Sequence, residues 1–328
     1  MDERALYRLS KDRQLVTPEL HPPSDYYGHA HLLKRYASLP PHRSLKAAVA
    51  HAVRLGELIW DVDLRTDMPL FLCASESHAR DYQSKSGGKK KAVPIGPMIR
   101  YVPLDDDPQV ARGGKVLVAF PAHSTHYYRA FFDSHLFAER IEALGAEFRR
   151  VVVCVYWKDV LQGLARTFAE RGFECVTAGH IFDIDFLPRL TRILTSASAV
   201  YTNEVGSHVL YAALLEKPVW VERADVIYKR SATRDPLEAF DHPNVVRLLA
   251  LFSEWKGSAS AQQRQFVEDL TGMAYVRSPE TMHQLLNEAE ERYQREVTLA
   301  GRLRHSIRSV RYCQQAIRAR LNGGLIPV

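Results

Sequence analysis

Histidine and hydroxyl side chains concentrate in two short segments of this sequence, at spacings that suit the binding of a phosphate group. Residues 120–128 read FPAHSTHYY, and residues 199–222 read AVYTNEVGSHVLYAALLEKPVWVE. Hydroxyls and imidazoles can hold phosphate oxygens and the charge of a leaving diphosphate without a fixed cation. The candidate ligand-binding residues in these segments are His123, Ser124, Thr125, Thr202, Asn203, Glu204, Gly206, Ser207 and His208.

The second segment has the pattern of a strand, a polar turn, a helix and a second strand. In an open parallel sheet this turn lies at the carboxyl end of the first strand, where ligands bind and the helix offers unpaired N–H groups to an anion. Ser207 is expected to cap the helix, and His208 is expected to add positive charge.

Two further polar segments, YWKD at residues 156–159 and AGHIFD at 178–183, add Lys158 and His180. They follow strand-like runs in a region where strands (KVLVAF, RVVVCVY, ECVTA) alternate with helical patterns near 134–144, 158–171 and 184–195. Such alternation predicts βαβ units and a parallel sheet. All these loops should then converge at one edge of the sheet.

The chain is expected to divide into an N-terminal lobe (1–110), a Rossmann-like lobe (111–278) and basic C-terminal helices (279–328). In the first lobe we expect a helix over 44–58, a strand at LFLCA, a helix beginning at SESHARDY and a strand at AVPIG. Residues 102–114 read as the linker, and KGSASAQQRQ reads as a surface loop.

His29, His51 and Glu57 are candidate catalytic bases in the first lobe, because an acceptor hydroxyl must lose a proton as its new bond forms. Acidic pairs at 61–63, 105–107 and 183–185 could hold a divalent metal, but such pairs arise often by chance in a chain with 38 acidic residues. No metal site or cofactor is therefore expected.

Composition narrows the class of protein. The chain has 328 residues, 46% of them hydrophobic, and four well-separated cysteines, which is typical of a globular protein without a zinc or redox pair. It shows neither a spanning apolar run nor a signal peptide, so a cytoplasmic location is expected.

The net charge of +6 is concentrated in the C-terminal region, where no acidic residue follows Glu296. The arginines there lie on a helical pattern with Leu303, Ile307, Val310 and Ile317 at roughly helical spacing. This helix could pack on the body with its arginines in water, or it could touch the inner membrane surface. No recognition motif favours nucleic acid.

Together, FPAHST, AGH-x-x-D, TNEVGSHVLYAALLEKPVWV, VPIGPMIRY and YYGHAHLLKRYASLP resemble the GT-B glycosyltransferases of bacterial capsule and lipopolysaccharide biosynthesis. The resemblance covers most of residues 24–275. It implies an α/β fold with two Rossmann-like lobes, a cleft between them and a helical C-terminal extension. The first lobe would then be the acceptor-side lobe, and the second would be the donor lobe, which binds a nucleotide-sugar without a metal.

The activity that this resemblance implies is sugar transfer from a nucleotide-activated donor to a growing polysaccharide, lipopolysaccharide or lipid-linked glycan acceptor. Three alternatives stay open: a CDP-alcohol polymer phosphotransferase, a metal-dependent glycosyltransferase that uses an Asp-x-Asp pair, and a basic scaffold without enzymatic activity. The Glu-x(7)-Glu pattern of many retaining members is absent, so the stereochemistry is open.

Overall fold

The computed structural model describes residues 1–88, 90–103, 115–222, 226–230 and 241–321. They form two compact units, each built from separate stretches of chain. Unit 1 comprises residues 1–12, 103–181 and 185–269, and unit 2 comprises residues 13–102, 182–184 and 270–328. Compared with the predicted segments, the first 12 residues join unit 1 and the C-terminal helices join unit 2.

The strands of the described residues are short, each three to five residues long. In chain order they are β1 (Ala47–Val49), β2 (Leu70–Cys73), β3 (Lys91–Pro94), β4 (Val116–Phe120), β5 (Tyr128–Phe131), β6 (Arg150–Cys154), β7 (Glu174–Val176), β8 (Ala199–Thr202), β9 (Val219–Val221) and β10 (Ile227–Arg230).

The α-helices of the same residues range from one turn to six. They are α1 (Glu3–Ser10), α2 (His29–Tyr36), α3 (Asp61–Leu64), α4 (Glu76–Lys85), α5 (Ser134–Gly145), α6 (Trp157–Leu161), α7 (Leu164–Ala169), α8 (Phe186–Ser196), α9 (Ser207–Leu214), α10 (Pro243–Phe252), α11 (Ala261–Thr271), α12 (Pro279–Glu296) and α13 (Leu299–Leu321).

Unit 1 contains a five-stranded parallel sheet with the order β7-β6-β4-β8-β9. Counted along the sheet-forming strands, this is the order 3-2-1-4-5 of a doubly wound, Rossmann-like fold. Its central strands are continuous apolar runs, because helices cover both faces of such a sheet. The predicted α/β class and the parallel sheet are confirmed.

The core of unit 1 packs Leu117 and Tyr201 from the sheet against Phe137 and Phe168 from the helices. Leu6 of α1 belongs to the same core, and the N-terminal amino group donates to the Cys175 carbonyl at 2.9 Å. The start of the chain is therefore part of this unit's packing.

Two elements of unit 1 differ from the prediction. The helix expected over 158–171 is broken into α6 and α7 at Gly163, whose φ of +87° is one that glycine adopts most easily. The loop after β4 does not lead directly into a helix but into β5, which pairs antiparallel with β10. This pairing joins residues about a hundred positions apart, so local patterning does not reveal it.

Unit 2 contains a three-stranded parallel sheet in the order β1-β2-β3. The helix expected over 44–58 is wrong, because residues 47–49 form β1 and pair with β2. Ala47, Ala48 and Val49 are fully buried. Their burial in the sheet outweighs the helix propensity of an alanine-rich run, since tertiary packing overrides weak local preference.

The C-terminal part of the chain is helical from residue 279 to 321 through α12 and α13, as predicted. The segment read as a surface loop is partly wrong, because α11 begins at Ala261 within it. Among the described residues, no helix combines the length and apolar character that crossing a bilayer requires.

Candidate functional site

The candidate site lies in unit 1 at the carboxyl ends of β4 and β8, which are neighbours in the sheet. The sheet grows outward from β4 in one direction and from β8 in the other, so the helices that follow these two strands leave on opposite faces. A crevice opens at such a topological switch point, and ligands of doubly wound proteins bind there. The first polar loop follows β4, and the second follows β8.

Side chains of the second loop bind the backbone of the first. The Oδ1 of Asn203 accepts a hydrogen bond from the Ala122 N–H at 2.7 Å, and Glu204 Oε2 accepts one from the His123 N–H at 3.1 Å. The two loops are thereby fixed to each other across the switch point. Asn203 and Glu204 are both buried, so these contacts are shielded from water.

His123 and Glu204 also form a side-chain pair, with Nδ1 of the imidazole 2.5 Å from Oε2 of the carboxylate. Burial by itself would lower the pKa of His123, but the charge of Glu204 outweighs burial and raises it above its ordinary value. Burial would likewise raise the pKa of Glu204, yet His123 holds it below its ordinary value. The pair is therefore an imidazolium and a carboxylate below the raised pKa of His123.

The His123 side chain is 28% exposed, whereas that of Glu204 is only 6% exposed. Because Nδ1 is committed to Glu204, Nε2 is the ring nitrogen left to donate to a ligand. The ring lies 4.7 Å from that of Tyr156, which follows β6. When it is protonated, this half-buried imidazole beside an aromatic ring can hold an anionic oxygen at this edge.

Tyr228 completes the surroundings of Glu204, and sequence reasoning missed it. Its hydroxyl donates to Oε1 of Glu204 at 2.8 Å, and its ring lies 5.1 Å from that of Tyr128. Burial and the carboxylate raise the pKa of Tyr228, so it remains a neutral donor. Only the pairing of β10 with β5 brings it to Glu204, and no local sequence signal marks that pairing.

Ser124 and Thr125 build the turn between β4 and β5. Ser124 N–H donates to Asp159 Oδ2 at 2.9 Å, and Ser124 Oγ accepts from the Ala130 N–H at 3.2 Å. Thr125 Oγ1 accepts from the Tyr127 N–H at 3.1 Å. Both hydroxyls therefore hold the loop in shape. Asp159, which was not among the predicted site residues, ties this loop to α6.

Thr202, Gly206, Ser207 and His208 form the entrance to α9. Gly206, not Ser207, occupies the N-cap position, and no side chain of the described residues caps the helix. This corrects the expectation for Ser207, because the extended backbone at Gly206 (φ −166°) precedes the first helical turn. Backbone N–H groups at such an uncapped start can bind an anion.

His208 does not supply the positive charge expected of it. Burial lowers its pKa to about 4, even though Glu204 acts in the opposite direction, so the ring is neutral at pH 7. Its Nε2 lies 3.1 Å from Thr202 Oγ1, and its ring stacks on Phe120 at 4.9 Å. His208 thus packs between Thr202 and Phe120, and of the two histidines it is His123 whose pKa is raised.

Lys158 and His180 lie around Trp157 in the same unit. Lys158 Nζ is 5.4 Å from the centre of the indole, and the His180 ring is 4.0 Å from it. The side chain of His180 is fully buried, and its Nε2 lies 3.2 Å from the Asp12 carboxylate. His180 therefore binds the N-terminal segment of the chain rather than an exposed site.

The three candidate bases lie in unit 2. His29 is buried with Nδ1 3.3 Å from the Ala50 carbonyl, and His51 lies between the rings of Tyr26 and Trp60, 5.6 Å from each. Burial lowers the pKa of His29 to about 4 and that of His51 to about 3, so both are neutral at pH 7. Glu57 is exposed.

Where the structure describes the acidic pairs that could bind a metal, their aspartates pair with histidine or arginine side chains instead. Asp63 Oδ1 lies 3.0 Å from His21 Nε2, Asp61 pairs with Arg65 and Asp183 pairs with Arg13. Residues 105–107 lie outside the described residues. Within the described ranges, no group of three or more His, Cys, Asp or Glu side chains is placed to hold a metal ion.

Comparison with known proteins gives weak likenesses only. No protein-family model matches the sequence, and no curated protein matches it. The S. aureus MnaA–UDP structure is 11% identical, with 80% of this chain and 70% of that chain covered and a TM-score of 0.39. UDP-GlcNAc 2-epimerase from Neisseria meningitidis bound to UDP-GlcNAc is 13% identical over 81% and 73%, with a TM-score of 0.37.

Phytolacca americana UGT2 complexed with UDP-2fluoro-glucose and pterostilbene is 15% identical, with 71% of this chain and 57% of that chain covered and a TM-score of 0.39. At these identities and TM-scores, likeness to these structures does not bear on activity. The fold class rests on the sheet topology described above.

Proposed function

We propose that this chain is a GT-B glycosyltransferase that transfers a sugar from a nucleotide-activated donor to a cell-surface polysaccharide or lipopolysaccharide acceptor, without a metal. The observation that carries the proposal is the His123–Glu204 pair, fixed across the switch point of a doubly wound sheet. This is where such a sheet binds ligands, and it offers one cation and several backbone N–H donors.

In this proposal the donor's diphosphate lies between His123 and the start of α9. As the bond from sugar to phosphate breaks, negative charge grows on the departing nucleotide, and the imidazolium stabilises it because the charge is already in place. Glu204 keeps the imidazole protonated, and Tyr228 and Asn203 hold Glu204 and the neighbouring loop in position. The positive charge of His123 replaces that of a metal ion.

The acceptor hydroxyl must lose its proton to a base, and His29, His51 and Glu57 remain the proposed candidates. The contact of His29 Nδ1 with the Ala50 carbonyl requires the proton on Nδ1, which leaves Nε2 as the nitrogen that can accept a proton. Burial lowers the pKa of both His29 and His51, so each ring is neutral at pH 7 and has a lone pair that can accept a proton.

We also propose that the enzyme acts in the cytoplasm against the inner membrane, where lipid-linked acceptors lie, and that α13 makes the contact. Among the described residues of α13, Gly301 and His305 are buried, and Tyr293 Oη lies 2.7 Å from His305 Nδ1. Four apolar residues on the described part of this helix are between 55% and 67% exposed; they are Leu299, Leu303, Ile307 and Val310.

Charge supports a membrane as the partner of these exposed apolar residues. Arg302, Arg304 and Arg308 lie on the same helix, and no acidic residue follows Glu296 in the chain. An apolar stripe flanked by arginines is typical of helices that lie in the surface of an anionic bilayer. The proposed partner is therefore a membrane rich in anionic phospholipid.

Titration calorimetry with UDP-, GDP-, dTDP- and CMP-sugars tests the donor assignment. One class of donor should bind saturably, and His123→Ala should weaken it by about 10-fold or more, which corresponds to about 1.4 kcal/mol. His135→Ala, an exposed histidine of the same unit, is the matched control. A folded protein that binds none of these donors would refute the proposal, and release of CMP from a CDP-alcohol would indicate the phosphotransferase instead.

A further inference from the structure

A second polar cluster lies at the carboxyl edge of the parallel sheet in unit 2. His51 follows β1 by two residues, and His78 lies in the first turn of α4, directly after β2. Since β1 and β2 are neighbouring parallel strands, both histidines leave the sheet at the same edge. Arg54 follows His51 by three residues in the chain.

His78 is buried without partners. It is 5% exposed, its ring lies 5.5 Å from that of Phe71, and neither ring nitrogen has a hydrogen-bond partner among the described residues. Folded proteins pair buried polar groups with protein, with water or with a ligand. A neutral imidazole has one N–H to donate and one lone pair to accept with, so its missing partner must satisfy at least one of them.

Arg54 supplies a permanent positive charge to the same place. Its guanidinium lies 5.4 Å from the centre of the Trp60 ring, which is also 5.6 Å from the ring of His51. Burial is the main reason that the pKa values of His51 and His78 are lowered. The positive charge of Arg54 lowers both further, so it acts on each ring.

An opposing charge near this cluster is that of Asp63, which acts to raise the pKa of His51. Asp63 is itself 1% exposed and is bound to His21 Nε2 at 3.0 Å. Asp63 therefore has a partner of its own, and the Arg54 guanidinium is a cation that acts on both His51 and His78. His51 and Arg54 are half-buried, so both side chains keep some exposure to solvent.

We infer that Arg54, His51 and His78 form a subsite that binds an oxyanion on the acceptor. This oxyanion is either a carboxylate or a phosphate. The inference rests on the proposed function, because it names the chemical class of the acceptor: an acidic or phosphorylated glycan. Arg54 neutralises the anion, the N–H of His78 donates to one of its oxygens, and a neighbouring hydroxyl of the sugar can donate to the remaining ring nitrogen.

The test is a titration of the full chain, labelled with ¹⁵N-histidine, with inorganic phosphate and separately with acetate, followed by NMR of the imidazole nitrogens. His78→Leu identifies the His78 signals among the 14 histidines. We expect the chemical shifts of the His78 nitrogens to change saturably with phosphate, with acetate or with both. The anion that causes the change shows whether the subsite recognises a phosphate or a carboxylate. Arg54→Met should weaken this response by about 10-fold or more, whereas Arg80→Met, on the exposed face of α4, should leave it unchanged.

His78→Leu also separates binding from folding. Because it removes an unpaired buried polar ring, it should leave the thermal midpoint unchanged or raised while abolishing the response to anions. Absence of a saturable shift with both anions, a shift that survives in Arg54→Met, or an equal response to sodium chloride at matched ionic strength would overturn the inference. Since no nucleotide is present, failure of this titration is distinct from failure of the donor titration.

Discussion

Replacing Glu204 with glutamine tests whether His123 and Glu204 form an ion pair. The carboxylate accepts from His123 N–H at 3.1 Å, from His123 Nδ1 at 2.5 Å and from Tyr228 Oη at 2.8 Å. A glutamine keeps the shape and one acceptor oxygen, but it removes the charge and turns an NH₂ group toward a donor. Removing one partner of a buried ion pair costs about 3–5 kcal/mol.

The exposed fraction of His123, 28%, moderates this cost, since the ring can lose its proton or be solvated once its partner is neutral. We therefore expect Glu204→Gln to lower the free energy of unfolding by about 2–4 kcal/mol. Urea denaturation followed by tryptophan fluorescence measures it. Glu147→Gln, at an exposed position of unit 1, should change stability by less than about 0.5 kcal/mol.

The pH dependence of this loss identifies its cause. His123 has a raised pKa, so its contribution is complete below the ordinary value of 6.5 and falls as pH rises through the raised value. Glu204 has a lowered pKa, so its contribution is complete above 4.5 and falls as pH drops through the lowered value. The difference between the two proteins should peak between these pH values. A loss below about 1 kcal/mol, or one independent of pH, would refute the ion pair.

Two further predictions concern α13 and the turn at Gly272. Leu303→Asp with Ile307→Asp should abolish flotation with phosphatidylglycerol vesicles, while Val246→Asp, at a residue 51% exposed in unit 1, should not. Equal flotation of the unchanged protein and both variants would contradict membrane contact. Gly272→Ala should cost about 2–4 kcal/mol in thermal or urea unfolding, because φ is +72° and the new Cβ would lie 2.3 Å from a backbone oxygen; Gly87→Ala (φ +67°, no atom within 4 Å) should cost only about 1 kcal/mol, and equal losses would disprove the clash.

Local patterning predicted much of unit 1 because its strands are continuous apolar runs separated by amphipathic helices. KVLVAF and RVVVCVY correspond to β4 and β6, and the helix expected from residue 134 corresponds to α5. The same reasoning failed at residues 47–49, where short alanine-rich strands carry no pattern of their own. Their conformation depends on pairing with β2, which lies about twenty residues further along the chain.

The sequence by itself determined the α/β class and that polar loops follow parallel strands, because alternation of strands and helices fixes which end of each strand faces a ligand. Tertiary structure alone decided what each polar side chain does. In the folded chain Tyr228 donates a hydrogen bond to Glu204, and the buried His180 contacts the Asp12 carboxylate. Burial also lowers the pKa of His208, so its ring is neutral at pH 7. Protonation and hydrogen bonding depend on burial and on partners distant in the chain, and no local pattern encodes either.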